Sequence, residues 1–424
     1  MLRVGFDTLR RKKFLERPET MRPLTIIVPV FNGAAAVERC LDGLGRCRPA
    51  HARIILHDDA STDPAIAPLL ASFASSIPAV RVMAAEANGG FIRSCNGAAA
   101  ASPSDSDLLF LNSDTELTAG AVEEMLAVLE ATGAAACCPM SNNATFLSVP
   151  RYQQANELPD GWSAEDMALL LRQAAGDGRA IAIPTPVGFC MLVRRAAWDA
   201  WGPFDAAYGS GYGEEDEFGQ RVQASGGLIV AAMRAYVWHR GGESFGPSEA
   251  TRERRRANGE LLVSRWPDYP VRMHSFCRAN PFRPMLERLW DALLSAPERR
   301  TRHVLHLVPR WERDGPLRDR VLGLARATRD VANHTIVVPT PDRGAWLDAI
   351  DFEIEAGTRV TGLIDLPTRF GRFLAASPAT HVHLHHAAQW QTDSIQADVR
   401  NAGRPLLVSV GDEPAIEACG RWYR

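Results

Sequence analysis

The 424-residue sequence has no C-x-x-C pair among its eight cysteines, and Cys137 and Cys138 are adjacent. Such spacings exclude the common zinc knuckles and give no simple bridge. Most of the thiols sit in apolar or Ala-rich stretches, where cysteine packs as a small hydrophobe. Reduced thiols in a cytoplasmic protein are the expectation. No apolar run approaches the roughly 18 residues of a membrane span, and the basic start Arg10-Arg11-Lys12-Lys13 is followed by no apolar stretch. Neither a span nor a secretory leader is therefore expected. An excess of one charge is also missing: 47 Lys and Arg against 50 Asp and Glu leave −3, which argues against nucleic acid as a partner. What is present is an ordinary globular composition, 46% hydrophobic and 23% charged, with length for two to three domains of about 150 residues.

Short apolar runs alternate with helical periods. Leu24–Val30 (LTIIVPV), Arg53–His57, Val80–Ala84 and Leu108–Leu111 read as strands. Between and after them, Ala34–Leu44, Ile66–Ser75, Gly90–Ala101 and Ala119–Ala131 read as helices. This alternation predicts βαβ units and a mostly parallel sheet, with strands apolar on both faces. After Pro150 the pattern loosens, with a helix near Ala164–Ala174, a strand Val187–Val193 and a helix Glu215–Ala224. Two short strands, Leu228–Ala232 and Ala235–Trp238, precede a basic helix from about Glu249 to Ser264. The division expected is a basic extension over 1–21, a domain over 22–275, an amphipathic helical linker over 276–301 and a second α/β domain over 302–424. In the linker Met285, Leu286, Leu289, Trp290, Leu293 and Leu294 share one face. A helix packed between domains is expected, with peripheral membrane contact as the sharper alternative.

In an open parallel sheet, ligands sit beyond the carboxyl ends of the strands. Pro29 to Asn32 end the first strand, Asp58-Asp59 the second and Asn112-Ser113-Asp114 the fourth. Carboxylates there can accept from a base or ribose, or hold a hard divalent cation that neutralises a diphosphate. Gly211-Tyr212-Gly213 leads into four consecutive acids, Glu214 to Glu217, which exceed what a helix dipole needs. Crowded carboxylates raise one another's pKa, which suits a general base. His239 ends a strand before Arg240-Gly241-Gly242 and is a candidate cation ligand.

The ordered segments VPVFNG, HDDASTD, EANGGF, LFLNSDTEL, GFCMLVRR, WGPFD, YGEEDEFGQR and VWHRGGESFG resemble an inverting family 2 glycosyltransferase over roughly residues 22–270. Within that family the likeness is to bacterial rhamnosyl- and galactofuranosyl-type transferases of cell-surface polysaccharide. The resemblance implies a GT-A fold, a nucleotide-diphosphate sugar donor, a saccharide or lipid-linked acceptor, and Mn2+ or Mg2+. By motif position it implies that Pro29, Asn32, Asp58, Asn88 and Asn112 bind the donor nucleotide, and that Asp114 and His239 hold the metal. Asn112 stands where the family's D-x-D motif has its first Asp. Glu215 matches the catalytic base, with Glu214 and Asp216 as alternates one position away. The acceptor is expected over Trp201-Gly202-Pro203 and the acidic helix start.

From His303 a second alternation begins, and HVLHLVPRWERDGPLRDRVLGLARAT, HTIVVP and THVHLHHAAQW resemble the N-terminal half of a family 4 GT-B glycosyltransferase. A partial Rossmann-like domain is implied, with Asp314-Gly315-Pro316 at the place of a Gly-rich loop. His381, His383 and His385 share one strand face and His386 points away; a buried or interface role is expected rather than a metal. A length too great for one transferase and too small for two reads as a fragment of a longer multi-transferase chain. Two other functions stay open. One is a non-catalytic nucleotide-sugar-binding or scaffold module. The other is a nucleotidyltransferase, which usually carries a Gly- and Lys-rich loop where this chain has Gly33-Ala34-Ala35-Ala36.

Overall fold

The computed structural model describes residues 22–158, 162–241, 249–295, 303–309, 315–328, 332–340, 354–355, 358–364, 370–371, 373–374, 377, 379–385 and 392–408. The basic start, Gly242 of the His239 segment, Asp314, His386 and Cys419 lie outside these residues. The chain divides into two compact units: residues 1–149, 153–155 and 163–281, and residues 150–152, 156–162 and 282–424. Among the described residues, no helix is long and apolar enough to cross a membrane.

The first unit opens with β1 (Leu24–Val30), α1 (Ala34–Cys47), β2 (Arg53–Asp58), α2 (Ile66–Ser76), β3 (Val80–Ala84), α3 (Gly90–Ala100) and β4 (Asp107–Leu111). β1 pairs in parallel with β2 on one side and β4 on the other, so both faces of its apolar run are covered. Leu24, Ile26, Ile27, Val28 and Val30 are all at most 1% exposed, each burial being worth about 1.5–3 kcal/mol. The chain then adds β5 (Thr115–Leu117), α4 (Ala121–Thr132), β6 (Ala136–Met140), α5 (Ala164–Ala175), β7 (Ala180–Ala182), β8 (Cys190–Val193), α6 (Arg195–Trp201), α7 (Glu214–Ala224), β9 (Ile229–His239), α8 (Glu249–Arg265) and α9 (Tyr269–Ala279). Helix α5 starts on a capping box: Ser163 accepts from the Asp166 N–H and the Asp166 carboxylate accepts from the Ser163 N–H.

The sheet order is β3-β2-β1-β4-β8-β6-β9-β5, with β7 beside β9. The first four strands expected from the sequence form its parallel half, whereas the one expected over Val187–Val193 is β8, which runs antiparallel between β4 and β6. The two short strands expected over Leu228–Trp238 are one strand, β9. Its pairing with β6 slips between Pro139 and Met140, from Pro139↔Ala232 to Met140↔Tyr236. The irregularity breaks the apolar pattern without ending the strand. Beyond it β9 continues against β5, bringing His239 opposite Thr115.

The chain leaves β1 toward β2 and later returns to β4 on the other side, so strand order reverses between β1 and β4. Pro29 fits this divergence. The Asp59 N–H donates to the Val30 carbonyl at 2.8 Å, so Val30 faces β2 and Pro29, one residue back, faces β4. The ladder with β4 has already ended at Ile27↔Phe110, and a residue without an N–H loses no bond there.

The second unit contains α10 (Arg283–Ser295), β10 (His303–Leu307), α11 (Pro316–Ala327), β11 (Asn333–Thr340), β12 (Ile354–Glu355), β13 (Thr358–Ile364), β14 (His381–Leu384), α12 (Thr392–Asn401) and β15 (Leu406–Val408). Its sheet, ordered β12-β13-β11-β10-β14-β15, is parallel except at β12. Leu305, Leu307, Val382 and Leu384 join Phe370, Leu374 and Ile395 in the core of one face. In α10, Met285, Leu286, Leu289, Trp290 and Leu293 are at most 3% exposed, so this apolar face is covered by protein.

Candidate active site

The loops beyond β1, β4 and β9 and the start of α7 enclose a cleft of about 410 Å3 within the first unit. Pro29, Asn88, Asn112, Asp114, Glu214, Glu215 and His239 line it. Asn32, Asp58 and Asp216, also expected at a site from the sequence, do not line it, nor do Trp201, Gly202 and Pro203.

Asn32 and Asp58 instead tie two loops together. Asn32 takes a left-handed conformation (φ 58°) and its Oδ1 accepts from the N–H groups of Thr62 and Asp63 at 2.8 and 2.9 Å. Its own N–H donates to Ser61 Oγ, while the Ser61 N–H donates to Asp58 Oδ1, both at 2.9 Å. The neighbouring acid, Asp59, faces the cleft and is 4% exposed. Its two oxygens accept from the N–H groups of Gly89 and Gly90 at 2.8 and 2.7 Å, capping α3 with a carboxylate where the helix dipole favours one. Gly90 has φ +82°, and a Cβ there would lie 2.6 Å from the Ser210 Cα, so glycine is required.

At the far side of the sheet break, Asp114 is 7% exposed and its Oδ1 has no hydrogen-bond donor. His239 Nε2 lies 3.4 Å from it. The other ring nitrogen, Nδ1, sits 2.6 Å from the Asn143 carbonyl oxygen and must therefore donate to it. In a neutral ring this turns the lone pair of Nε2 toward a carboxylate oxygen. Two acceptors facing each other in a buried place require a proton or a cation between them. The buried Asn112 Oδ1 likewise has no donor. The histidine is held firmly: its N–H and C=O both bond the Asn142 side chain, at 2.7 and 2.9 Å. Phe189 stacks on its ring at 4.9 Å between centroids. These residues fit a hard divalent cation through Asp114 with His239 beside it.

The third wall is the turn into α7. Gly211, Tyr212 and Gly213 all have positive φ, 135°, 76° and 97°; for tyrosine this is a strained conformation that surrounding contacts must hold. Asn258 Nδ2 on α8 supplies them, within 2.8–3.0 Å of the carbonyls of Tyr208, Gly211 and Tyr212. Arg255, one helical turn earlier, lines the cleft and lies over the Tyr212 ring at 4.3 Å.

The four acids after this turn then separate. Glu217 pairs with Arg221 at 2.9 Å. Asp216 Oδ1 accepts from Thr185 Oγ1 and Tyr269 OH, both at 2.8 Å, which fastens α7 to its surroundings. Glu214 and Glu215 face the cleft. Burial, together with the Asp216 charge, pushes the Glu215 carboxyl up to about 7, against the pull of the Gly213 and Gly188 N–H groups. Burial and the adjacent Glu215 also push the Glu214 carboxyl well above its usual range, and its Oε2 has no hydrogen-bond partner. A carboxyl poised near neutrality in a cleft can take a proton at physiological pH.

The sequence reading did not single out Asn142, Asn143, Phe189, Gly188 or Asn258; Arg255 falls within the basic run Arg252–Arg256, for which a solvated helix face is the expectation and contact with a diphosphate-linked lipid acceptor the alternative. The amides carry no periodic signal. The consecutive Asp58-Asp59 was a visible signal whose facing residue only the loop geometry decides.

Residues 25–202 match the family model of glycosyl transferase family 2. No curated protein matches the chain. Among solved structures, GalNAc-T7 with UDP, GalNAc and Mn2+ aligns at TM-score 0.45 and 15% identity, covering 64% of this chain and 55% of that one. The mannosyltransferase PcManGT from Pyrobaculum calidifontis, in complex with GDP-Man and Mn2+, aligns at 0.44 and 17%, covering 67% and 79%. S. aureus TarS 1-349 with UDP-GlcNAc aligns at 0.43 and 15%, covering 65% and 73%. The chain thus spans little more than half the length of GalNAc-T7. With its sheet order and the family match, the first unit is an α/β domain of the GT-A kind with a mainly parallel sheet, and the second is a separate α/β domain. The family match ends before Glu214, Glu215 and His239, so their roles rest on geometry.

Proposed function

We propose that the first unit is an inverting, metal-dependent glycosyltransferase. It moves a sugar from a nucleotide-diphosphate donor to a hydroxyl of a saccharide or lipid-linked acceptor. The observation that carries this reading is one cleft combining a buried carboxylate and an imidazole lone pair that need a positive charge between them with a carboxyl held near pKa 7. The match of residues 25–202 to a sugar-transferase family supports it. The motif order supports an acceptor in cell-surface polysaccharide, with peripheral membrane contact where the acceptor is lipid-linked, and the cysteine usage supports cytoplasmic action.

In this reading the donor lies over the sheet break between β1 and β4. Pro29 and Asn88 line the nucleotide end, Asn112 Oδ1 accepts from donor hydroxyls, and the Asn32–Asp58 ties hold the loops that shape the pocket. Asp114 and His239 hold the cation, Mn2+ or Mg2+. When bound, the cation supplies positive charge to diphosphate oxygens as negative charge develops there. Glu215 takes the proton from the acceptor hydroxyl. The acceptor oxygen forms its bond to the anomeric carbon as the bond to the diphosphate breaks, from the opposite face, so configuration inverts. Glu214, whose Oε2 has no partner within the protein, contacts a sugar or acceptor hydroxyl. Arg255 faces the same cleft and offsets donor charge.

The test is product analysis with nucleotide-sugar donors and saccharide acceptors, reading the anomeric configuration by proton NMR. An inverted linkage that disappears in Glu215→Gln supports the reading. A retained configuration, or unchanged turnover in that variant, overturns it.

A further inference from the structure

The second unit carries a different cluster of chemical groups. Strand order in its sheet reverses between β10 and β14: the chain runs outward from β10 to β11 and β13, then returns to β14 on the other side. The carboxyl ends of two strands flanking such a reversal are where an open α/β sheet binds ligands. His306 lies next to the end of β10, opposite His383 of β14, and His385 follows directly, its N–H donating to the Leu307 carbonyl at 2.9 Å. Alternation puts Leu305, Leu307, Val382 and Leu384 into the apolar core of one face. All three histidines project from the other. They are 0%, 1% and 4% exposed.

A buried imidazole set of this kind has no apolar rationale, since each ring costs desolvation. Its hydrogen bonds run in one direction, and that direction can be read from its end. Thr328 Oγ1 donates to the Leu324 carbonyl at 2.8 Å. Its contact with His334 Nε2 at 3.0 Å therefore has the ring N–H donating. His334 Nδ1 is then an acceptor, and it takes the Nε2–H of His306 at 3.0 Å. His306 Nδ1 is left as a lone pair aimed at His385 Nε2, 3.0 Å away. The His383 ring stacks on His385 with centroids 3.8 Å apart. One nitrogen from each of His306, His383 and His385 lies within 4.8 Å of the others.

We propose that His306, His383 and His385 form a transition-metal site, with Zn2+ the best fit, at the carboxyl-end crevice of the second unit. Tetrahedral ligation with Zn–N near 2.0–2.1 Å needs nitrogens about 3.3 Å apart. The 3.0 Å pair opens slightly and no pair needs to close by more than about 1.5 Å, within reach of ring rotation. The cation takes the place of the proton between His306 Nδ1 and His385 Nε2, and His385 carries its proton on Nδ1 instead. The far nitrogen of His306 is already held through His334, Thr328 and the Leu324 carbonyl, the outer support that fixes a ligating ring. Rings buried this deeply present lone pairs rather than charge. Three neutral imidazoles select Zn2+, Cu2+ or Ni2+ over Mg2+ or Mn2+, which distinguishes this site from the carboxylate-bearing cleft of the first unit. Three protein ligands leave a fourth position for water or an anion.

The test uses the full chain carrying Asp114→Asn, which removes the first unit's carboxylate, stripped with a chelator and titrated with Zn2+ alone. One Zn2+ per chain should bind with half-saturation below about 1 μM. Co2+ in its place should give the intense visible bands of a tetrahedral nitrogen site. His385→Gln should weaken Zn2+ binding at least 100-fold and abolish those bands, whereas His381→Gln should keep both. Thr328→Val should weaken binding about 10-fold with the bands retained, as loss of outer support does. No Zn2+ uptake by the stripped chain, or the pale spectrum of six-coordinate Co2+, overturns the proposal even where a histidine variant fails to fold. So does equal uptake in the His385→Gln chain.

Discussion

Replacing Glu215 by Gln tests two consequences of one buried carboxyl. The group ionises near 4.5 in the unfolded chain and at about 7 in the folded one. Below pH 4.5 it is protonated in both states and contributes no difference. As pH rises, the unfolded chain loses the proton first, so stability falls between about 4.5 and 7 and the loss is complete above 7. A gap of about 2.5 units at about 1.4 kcal/mol each is a cost on the order of 3 kcal/mol. A glutamine avoids that cost. It keeps only one of the Gly213 and Gly188 N–H donors, because its other terminal atom is itself a donor, which returns about 1 kcal/mol. Glu215→Gln is therefore expected to be more stable than wild type by about 2 kcal/mol at pH 8, with the gain gone at pH 5. Denaturant unfolding at the two pH values measures this. The same variant should lose about 10²–10⁴-fold in kcat, the usual worth of a general base, with donor affinity nearly unchanged. In wild type, log kcat/KM should climb with unit slope to about pH 7 and then level. A variant that is destabilised equally at both pH values, or that keeps its kcat, refutes the reasoning.

Three further outcomes follow from neighbouring residues. A Cβ at Gly188 would lie 3.2 Å from Glu215 Oε1, so Gly188→Ala should displace the carboxylate and lower kcat about 10–100-fold, with little change in melting temperature. Asn258→Ala leaves the turn carbonyls of Tyr208, Gly211 and Tyr212 without their donor. It should cost about 1–3 kcal/mol in unfolding and reduce kcat by loosening Glu214 and Glu215. Gly90→Ala should fail more severely, since its Cβ would meet Ser210 backbone at 2.6 Å; lower expression and a lower melting temperature check it.

Much of this architecture is readable from residues, and what is not has identifiable causes. The runs LTIIVPV and Leu108–Leu111 are strands because apolar residues on both faces suit only a sheet covered on both sides. Pro29, an odd residue in a central strand, marks the place where two strands part. β9 reads as two strands in the sequence because a register slip near Pro139 interrupts its pattern, and a slip depends on the partner strand. The consecutive acids Glu214 to Glu217 point to a site, but which of them face the cleft depends on Arg221, Thr185 and Tyr269. His381, His383 and His385 alternate visibly, and their shared strand face suggested a buried role. What the pattern could not show is His306, 77 residues before His383 in sequence and beside it in the sheet. Nor could it show the direction of a hydrogen-bond chain that ends on a backbone carbonyl. Asn142, Asn143 and Asn258 were illegible for the same reason: an amide's partners are set by loops, and no periodicity announces them.

The decisive measurement is the thermal stability of the purified chain with UDP-, dTDP- and GDP-sugars, in Mn2+ or Mg2+ and again with chelator. A donor at 100 times its Kd stabilises the folded state by about 2.7 kcal/mol, a rise of about 5–10 °C for a unit of this size. The sugar-transferase reading expects at least one donor to produce that rise with a divalent cation, and expects the rise to vanish with chelator and in Asp114→Asn. No rise with any donor, or one that survives both the chelator and the substitution, contradicts it.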